Sequence, residues 1–189
     1  PGYLPGCGYK YNLELAKKYL IEAGYPNAKG IPVIHLNTTS SYVDLCEYIQ
    51  HAWETLGFKV KVNVNPPSTH RQKVSKSQLS IFRGSWIADY ADAENYLALF
   101  YSGNHCPNGP NYTHFSNSEF DELYEKSLRI PELVNRIPLY EKMDSIVINQ
   151  AAIIPLYYDN VLRFSHKKVK GLGSNAMNLL DLKRVKIIN

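Results

Sequence analysis

The sequence predicts an α/β domain. Residues Ile31 to Val64 read as strand, helix, strand, the unit that forms a right-handed parallel pair. Further on, Phe120, Leu123, Tyr124 and Leu128, then Tyr140, Met143 and Val147, recur at helical spacing. A chain of 189 residues fits one such domain or two small lobes, and an apolar share of 44% permits a real core.

The chain opens with a Pro/Gly/Tyr loop to Tyr11. Asn12 is a suitable cap for a helix carrying Leu13, Ala16, Leu20 and Ala23, which Gly24 and Pro26 stop. Ile31 to Leu36 reads as a strand, and the polar turn 37–41 leads to a helix with Leu45, Ile49, Ala52 and Leu56 on one face. Gly57 ends that helix. Phe58, Val60, Val62 and Val64 alternate with Lys59, Lys61 and Asn63, the pattern of a half-buried strand. Ser68 to Gln78 has room for a short helix, and Leu79 to Phe82 is the next strand. Residues 90–115 form a long loop rich in Asn, Gly, Tyr and His, and loops of that length are usually functional or disordered.

Ser116 and Glu119 then form a capping box. The helix it starts is followed by one running to about Gln150, where Pro138 fits the first turn or a kink. Ile153–Tyr158, Val161–Ser165 and Lys183–Ile188 read as short strands, with Lys167–Asp181 a loop.

Several function classes find no support. Lys and Arg exceed Asp and Glu by four, but the basic residues are scattered and form no nucleic-acid track. No apolar run is long enough to span a bilayer. There is no G-x-S-x-G, H-E-x-x-H or Walker loop, and the six histidines form no catalytic constellation. Cys46 falls on the apolar side of its helix and is expected to be a buried thiol. Cys7 and Cys106 lie in loops where pairing is open, although free thiols are the expectation. His105, Cys106 and His114 are near neighbours but lack the spacing of known metal sites, so no metal or cofactor is expected.

The densest chemistry follows Leu79–Phe82. Arg83, Trp86, Asp89, Tyr90, Asp92 and Asn95 fall within thirteen positions. An aromatic wall beside carboxylates suits a cation, because ring faces attract positive charge. The same residues also fit a strand end followed by a solvated polar loop.

Residues 86–92, Trp-Ile-Ala-Asp-Tyr-Ala-Asp, resemble the W-x-A-D-Y-x-D signature of the family 5 extracellular solute-binding proteins, the oligopeptide- and dipeptide-binding components of ABC importers. Tyr9–Asn12 with Ala23–Pro26, Trp53–Gly57, Phe115 with Phe120–Leu123, Arg136 with Leu139–Tyr140, and Ile154–Tyr157 are similar to further family segments in the same order.

This resemblance implies a type II periplasmic-binding-protein-like C-terminal lobe, with a mixed sheet flanked by helices. Residues 1–159 would form the ligand-binding lobe, and 160–189 a tail that in the family returns to an N-terminal lobe missing here. A first residue other than Met fits an excised or processed piece. In isolation the tail is expected to pack differently from its arrangement in a whole member.

The resemblance also implies binding without catalysis: capture of a peptide in a two-lobed cleft and delivery to membrane permease subunits. A nickel chelate, haem or an oligosaccharide is the alternative ligand. The expected location is periplasmic or extracytoplasmic, with lipid anchoring left open. Asp89 matches the aspartate that takes a peptide α-ammonium, Trp86 the tryptophan beside it, and Arg83 an arginine that reaches ligand carboxylates in some members. When no ligand is present, Arg83 could instead pair with Asp89 or Asp92. Tyr42 stands where some members place a histidine that reaches the ligand. Tyr90, Asp92, Asn95, Asn111 and Tyr112 complete the expected contacts, the last three at the rim. Ala93 replaces the usual proline after Asp92, an exchange expected to loosen the loop.

Overall fold

The computed structural model of the protein describes residues 8–175 and 179–188. Cys7, and with it any pairing to Cys106, lies outside them.

Helix α1 (Leu13–Glu22) starts as the sequence predicts, with the Asn12 side chain accepting from the Leu15 N–H at 2.9 Å. Strand β1 (Ile34–Thr38) begins three residues later than expected and takes in Asn37 and Thr38. Both are buried, so the supposed turn is the end of a core strand. Helix α2 (Val43–Glu54) follows a short 3-10 turn, and β2 (Val60–Val64) pairs parallel with β1 in the register Ile34 to Val60. Between them Gly57 sits at φ +95°, where an added Cβ would collide with the Asn27 carbonyl. Helix α3 (Pro67–Ser75) begins with proline at its first position, where no N–H is needed. Strand β3 (Ile81–Phe82) then joins β1 on its other side.

The resulting order is β2-β1-β3, all parallel. Leu36, Cys46 and Val60 form the buried centre of this unit, with Ile34, Ile49, Trp53, Phe58, Val62 and Ile81 packed around them. Cys46 is fully buried, as its helical position predicts.

A second, larger core is aromatic. Leu97, Phe100, Phe115, Phe120, Tyr124, Tyr140, Met143 and Val147 come from α4 (Glu94–Leu97), the loop after it, α5 (Ser118–Leu128) and α6 (Leu133–Asn149). The rings of Phe100, Phe115 and Phe120 meet edge to face, with centroids 5.6–6.4 Å apart.

Several local expectations are corrected. The cap of α5 is Asn117, whose side chain accepts from the Phe120 N–H; Glu119, expected in a capping box with Ser116, instead pairs with Lys142 on α6. Of the two places open to Pro138, the first turn is excluded, since it lies inside α6. Residues 153–165 form no strand, and their apolar side chains, among them Ile154, Tyr158 and Phe164, are exposed. A strand needs a partner ladder, and no described segment supplies one to this stretch. Among the described residues, antiparallel pairing is confined to a small ribbon of β4 (Val169–Lys170) and β5 (Lys186–Ile187), which puts a strand in the expected loop 167–181 and leaves only two residues of the expected 183–188 strand.

Candidate functional site

In a parallel sheet the C-terminal ends of the strands open onto a crevice where the strand order switches direction, and ligands favour that place. Here the switch lies between β1 and β3. The turn after β1 delivers Tyr42, and the exit from β3 delivers Arg83. Asn37 pins the two strands there, its side chain donating to the carbonyls of His35 (2.9 Å) and Ile81 (3.0 Å). The Arg83 N–H extends the pairing to the Asn37 carbonyl, and the His70 imidazole bonds the Arg83 carbonyl at 3.0 Å.

With its backbone fixed in this way, the Arg83 guanidinium lies over the Tyr42 ring, Cζ 3.3 Å from the centroid. Its only side-chain hydrogen bond among the described residues is a long one from Nη1 to Ser85 Oγ at 3.4 Å, and Nε is buried without a partner. Arg83 makes no ion pair with Asp89 or Asp92. The stack on Tyr42 replaces the expected pairing and holds the cation while leaving donors unspent.

The next cluster is organised by Asn95. Its Oδ1 accepts from the Trp86 indole N–H at 2.7 Å and from the Asp89 N–H at 3.1 Å, and its Nδ2 donates to Asp89 Oδ2 at 3.4 Å. Asn95 is itself buried, so it orients the site from beneath and does not form a rim. Asp89 is exposed and Trp86 half-buried beside it. An exposed carboxylate with one weak donor keeps most of its capacity to accept, which is what an incoming ammonium requires.

Asp92 turns the other way. Its carboxylate meets Arg136 Nη1 at 2.6 Å and accepts from the Tyr140 hydroxyl at 3.0 Å and the Glu94 N–H at 3.0 Å. Burial pushes its pKa up, but the Glu94 N–H, the Tyr140 hydroxyl and Arg136 outweigh that and hold it below the ordinary value. Buried Glu94 accepts from both the Tyr90 and Tyr124 hydroxyls. The Glu94 bond, followed by burial, raises the pKa of Tyr90; burial, followed by the same carboxylate, raises that of Tyr124. Burial and then the Asp92 bond push Tyr140 up to about 12.

The structure therefore brings Trp86, Asp89 and Asn95 into one hydrogen-bonded group, sets Arg83 on Tyr42, and ties Asp92 and Tyr90 into the scaffold. Asn111 is corrected outright. It is fully buried, donates to the carbonyls of Tyr101 and Phe115, and accepts from Thr113 Oγ1 and the Phe115 N–H, so it builds the loop and faces no ligand. Tyr112 beside it is half-buried. Sequence reasoning missed Asn37, Glu94, Arg136, Tyr124 and Tyr140 as parts of the site. The one available signal was Arg136 and Tyr140 on a single face of α6, four residues apart.

Residues 1–108 match the family description "Bacterial extracellular solute-binding proteins, family 5 Middle". The chain belongs to this family. The likeness to individual family 5 proteins continues beyond the matched segment. The dipeptide-binding protein DppE of Bacillus subtilis is 31% identical over 180 residues, covering 90% of this chain and 32% of its own length. Heme-binding protein A of Haemophilus influenzae is 29% identical over 168 residues, covering 86% and 30%. The solved structure of the ABC transporter-associated periplasmic binding protein DppA of Helicobacter pylori, in complex with the peptide STSA, superposes with a TM-score of 0.80 at 25% identity over 98% of this chain and 36% of that one. This family 5 chain thus has the type II binding-protein fold and spans about a third of the length of the curated relatives it matches. Family 5 consists of extracellular solute-binding transport proteins, a class distinct from enzymes.

Proposed function

We propose that this chain is one lobe of a peptide-binding protein that supplies an ABC importer outside the cytoplasm. The observation that carries the reading is Asp89, an exposed carboxylate beside the Trp86 indole, with both oriented by buried Asn95. That group suits a peptide α-ammonium. Arg83, held over Tyr42 with unspent donors, suits a carboxylate on the same ligand. Two opposite charges favour a zwitterion.

The exposed residues of 160–188, including Leu162, Phe164, Leu180 and Leu182, dock in this reading against the rest of the parent protein. The second lobe closes over the ligand, and the closed form is handed to permease subunits. A micromolar peptide corresponds to about −8 kcal/mol and a millimolar one to about −4 kcal/mol. If each lobe supplies half, this chain alone binds at roughly millimolar strength.

The test is a titration of the full-length parent with di- to pentapeptides, followed by calorimetry or thermal shift, beside Asp89→Asn. Stabilisation by peptide that the substitution largely removes supports the reading. Equal stabilisation of both proteins sinks the role of Asp89. A second reading, haem as ligand, is favoured by the similarity to heme-binding protein A; a response to haem with none to any peptide would select it.

A further inference from the structure

A second group of chemically active side chains lies apart from Asp89 and Arg83. Cys106, His114 and Ser77 converge from the loop after α4 and the end of α3. Cys106 Sγ is 3.2 Å from His114 Nε2, and Ser77 Oγ is 2.9 Å from the sulfur and 2.6 Å from the same nitrogen.

The surrounding chain holds this triangle in place. The Cys106 N–H bonds the Asn111 carbonyl, and Asn111 is the buried organiser of the loop. The His114 ring stacks on His105 at 4.9 Å and 25°, and His105 Nε2 is fixed by the Phe115 carbonyl at 2.9 Å. Ser77 and His114 adopt φ of +54° and +53°, a region that costs residues with a side chain. Strained conformations of this kind persist where the surroundings over-determine them, and they cluster at functional sites.

We propose that Cys106 and His114 form a two-donor site for a soft d10 cation of the copper(I) type. A thiolate and an imidazole are the donors such an ion prefers. Among the described residues no three His, Cys, Asp or Glu side chains are placed to hold one ion together, which leaves the set short of the four ligands zinc takes in structural sites. Copper(I) is satisfied by two or three donors. Using bond lengths of about 2.3 Å to sulfur and about 2.0 Å to nitrogen, an ion joining the two atoms at their present spacing subtends roughly a right angle. Opening that spacing by about 0.5 Å gives a trigonal arrangement with the Ser77 hydroxyl or a water as third donor. His114 is exposed whereas Cys106 is buried, so the ion enters from the histidine side. On binding, the thiol loses its proton to solvent, the sulfur–metal bond forms, and no electron is transferred.

The experiment is an anaerobic competition titration with copper(I) against the chromophoric chelator bicinchoninate. It uses a Cys7→Ser background to remove the competing thiol; Cys46, fully buried in the other core, is left in place. One equivalent should bind. Cys106→Ser should abolish it, and His114→Asn should weaken it at least about tenfold, the scale of lost metal partners. Asn is chosen because it tolerates the left-handed backbone at 114. Unchanged affinity in either variant, or no binding in the background protein, overturns the proposal. Copper K-edge absorption on the Cys7→Ser protein tests the site without touching it. One sulfur with at least one nitrogen or oxygen neighbour is expected, and a sulfur-only shell refutes it.

Discussion

The Arg136 guanidinium reaches the Asp92 carboxylate at 2.6 Å, tying the loop after β3 to α6. The contact makes the acid limb of stability measurable. Asp92 has a depressed folded pKa, so its contribution is present above the unfolded value of about 3.9 and is lost as pH falls through the folded value. The melting temperature should drop on acidification below about pH 4. In Arg136→Met the drop should be shallower, because one of the groups lowering that pKa is gone. Melting curves that stay parallel from pH 5 to pH 2 would contradict this role.

The alkaline limb has the opposite sign. Tyr140 is pushed up to about 12, so its contribution is full below the unfolded value of about 10 and fades as pH rises through the folded one. Absorbance titration near 295 nm should show late-ionising tyrosines, and Tyr140→Phe should remove one of them.

Tyr124 and Tyr90 share Glu94. Tyr124→Phe leaves a buried carboxylate with one hydroxyl donor fewer and should cost about 1–2 kcal/mol in urea unfolding. A neutral result would mean that water takes the place of the hydroxyl.

Asn95→Ala removes the acceptor of the Trp86 indole and the Asp89 N–H together. It should cost about 1–3 kcal/mol and shift tryptophan emission to the red. In the full-length parent it should weaken peptide binding although it touches no peptide in the proposed pose.

Ala93 has φ −64°, the angle proline imposes, and the Asp92 carboxylate already caps the turn that follows. Ala93→Pro should therefore stabilise by about 0.4–1 kcal/mol, read as a higher urea midpoint. The backbone already has the φ that the family's proline would set, so the substitution tests the expectation that alanine leaves this loop looser.

The sequence announces the elements whose signals are local. The Asn12 cap and the helical spacing of Tyr140, Met143 and Val147 are met where expected, and the alternation Phe58–Val64 is met in part: the strand is Val60–Val64, with Val60 buried and Lys61 exposed but Val64 also exposed. It fails where a neighbour far along the chain decides. Asp92 reads as a ligand contact until Arg136 and Tyr140 arrive from α6, and Asn111 reads as a rim residue until its four hydrogen bonds close inside the loop. Ile153–Ser165 has strand composition without a strand to pair with.

The two faces of the segment 86–95 carry a further consequence. Asn95 serves the exposed side, while Asp92 and Glu94 fasten the inner side to α5 and α6. The exposed positions Ile87 and Asp89 can therefore change with little disturbance to the anchorage. Such insulation lets one chassis be retuned toward different cargo by drift at a few outward positions, without first acquiring spare stability.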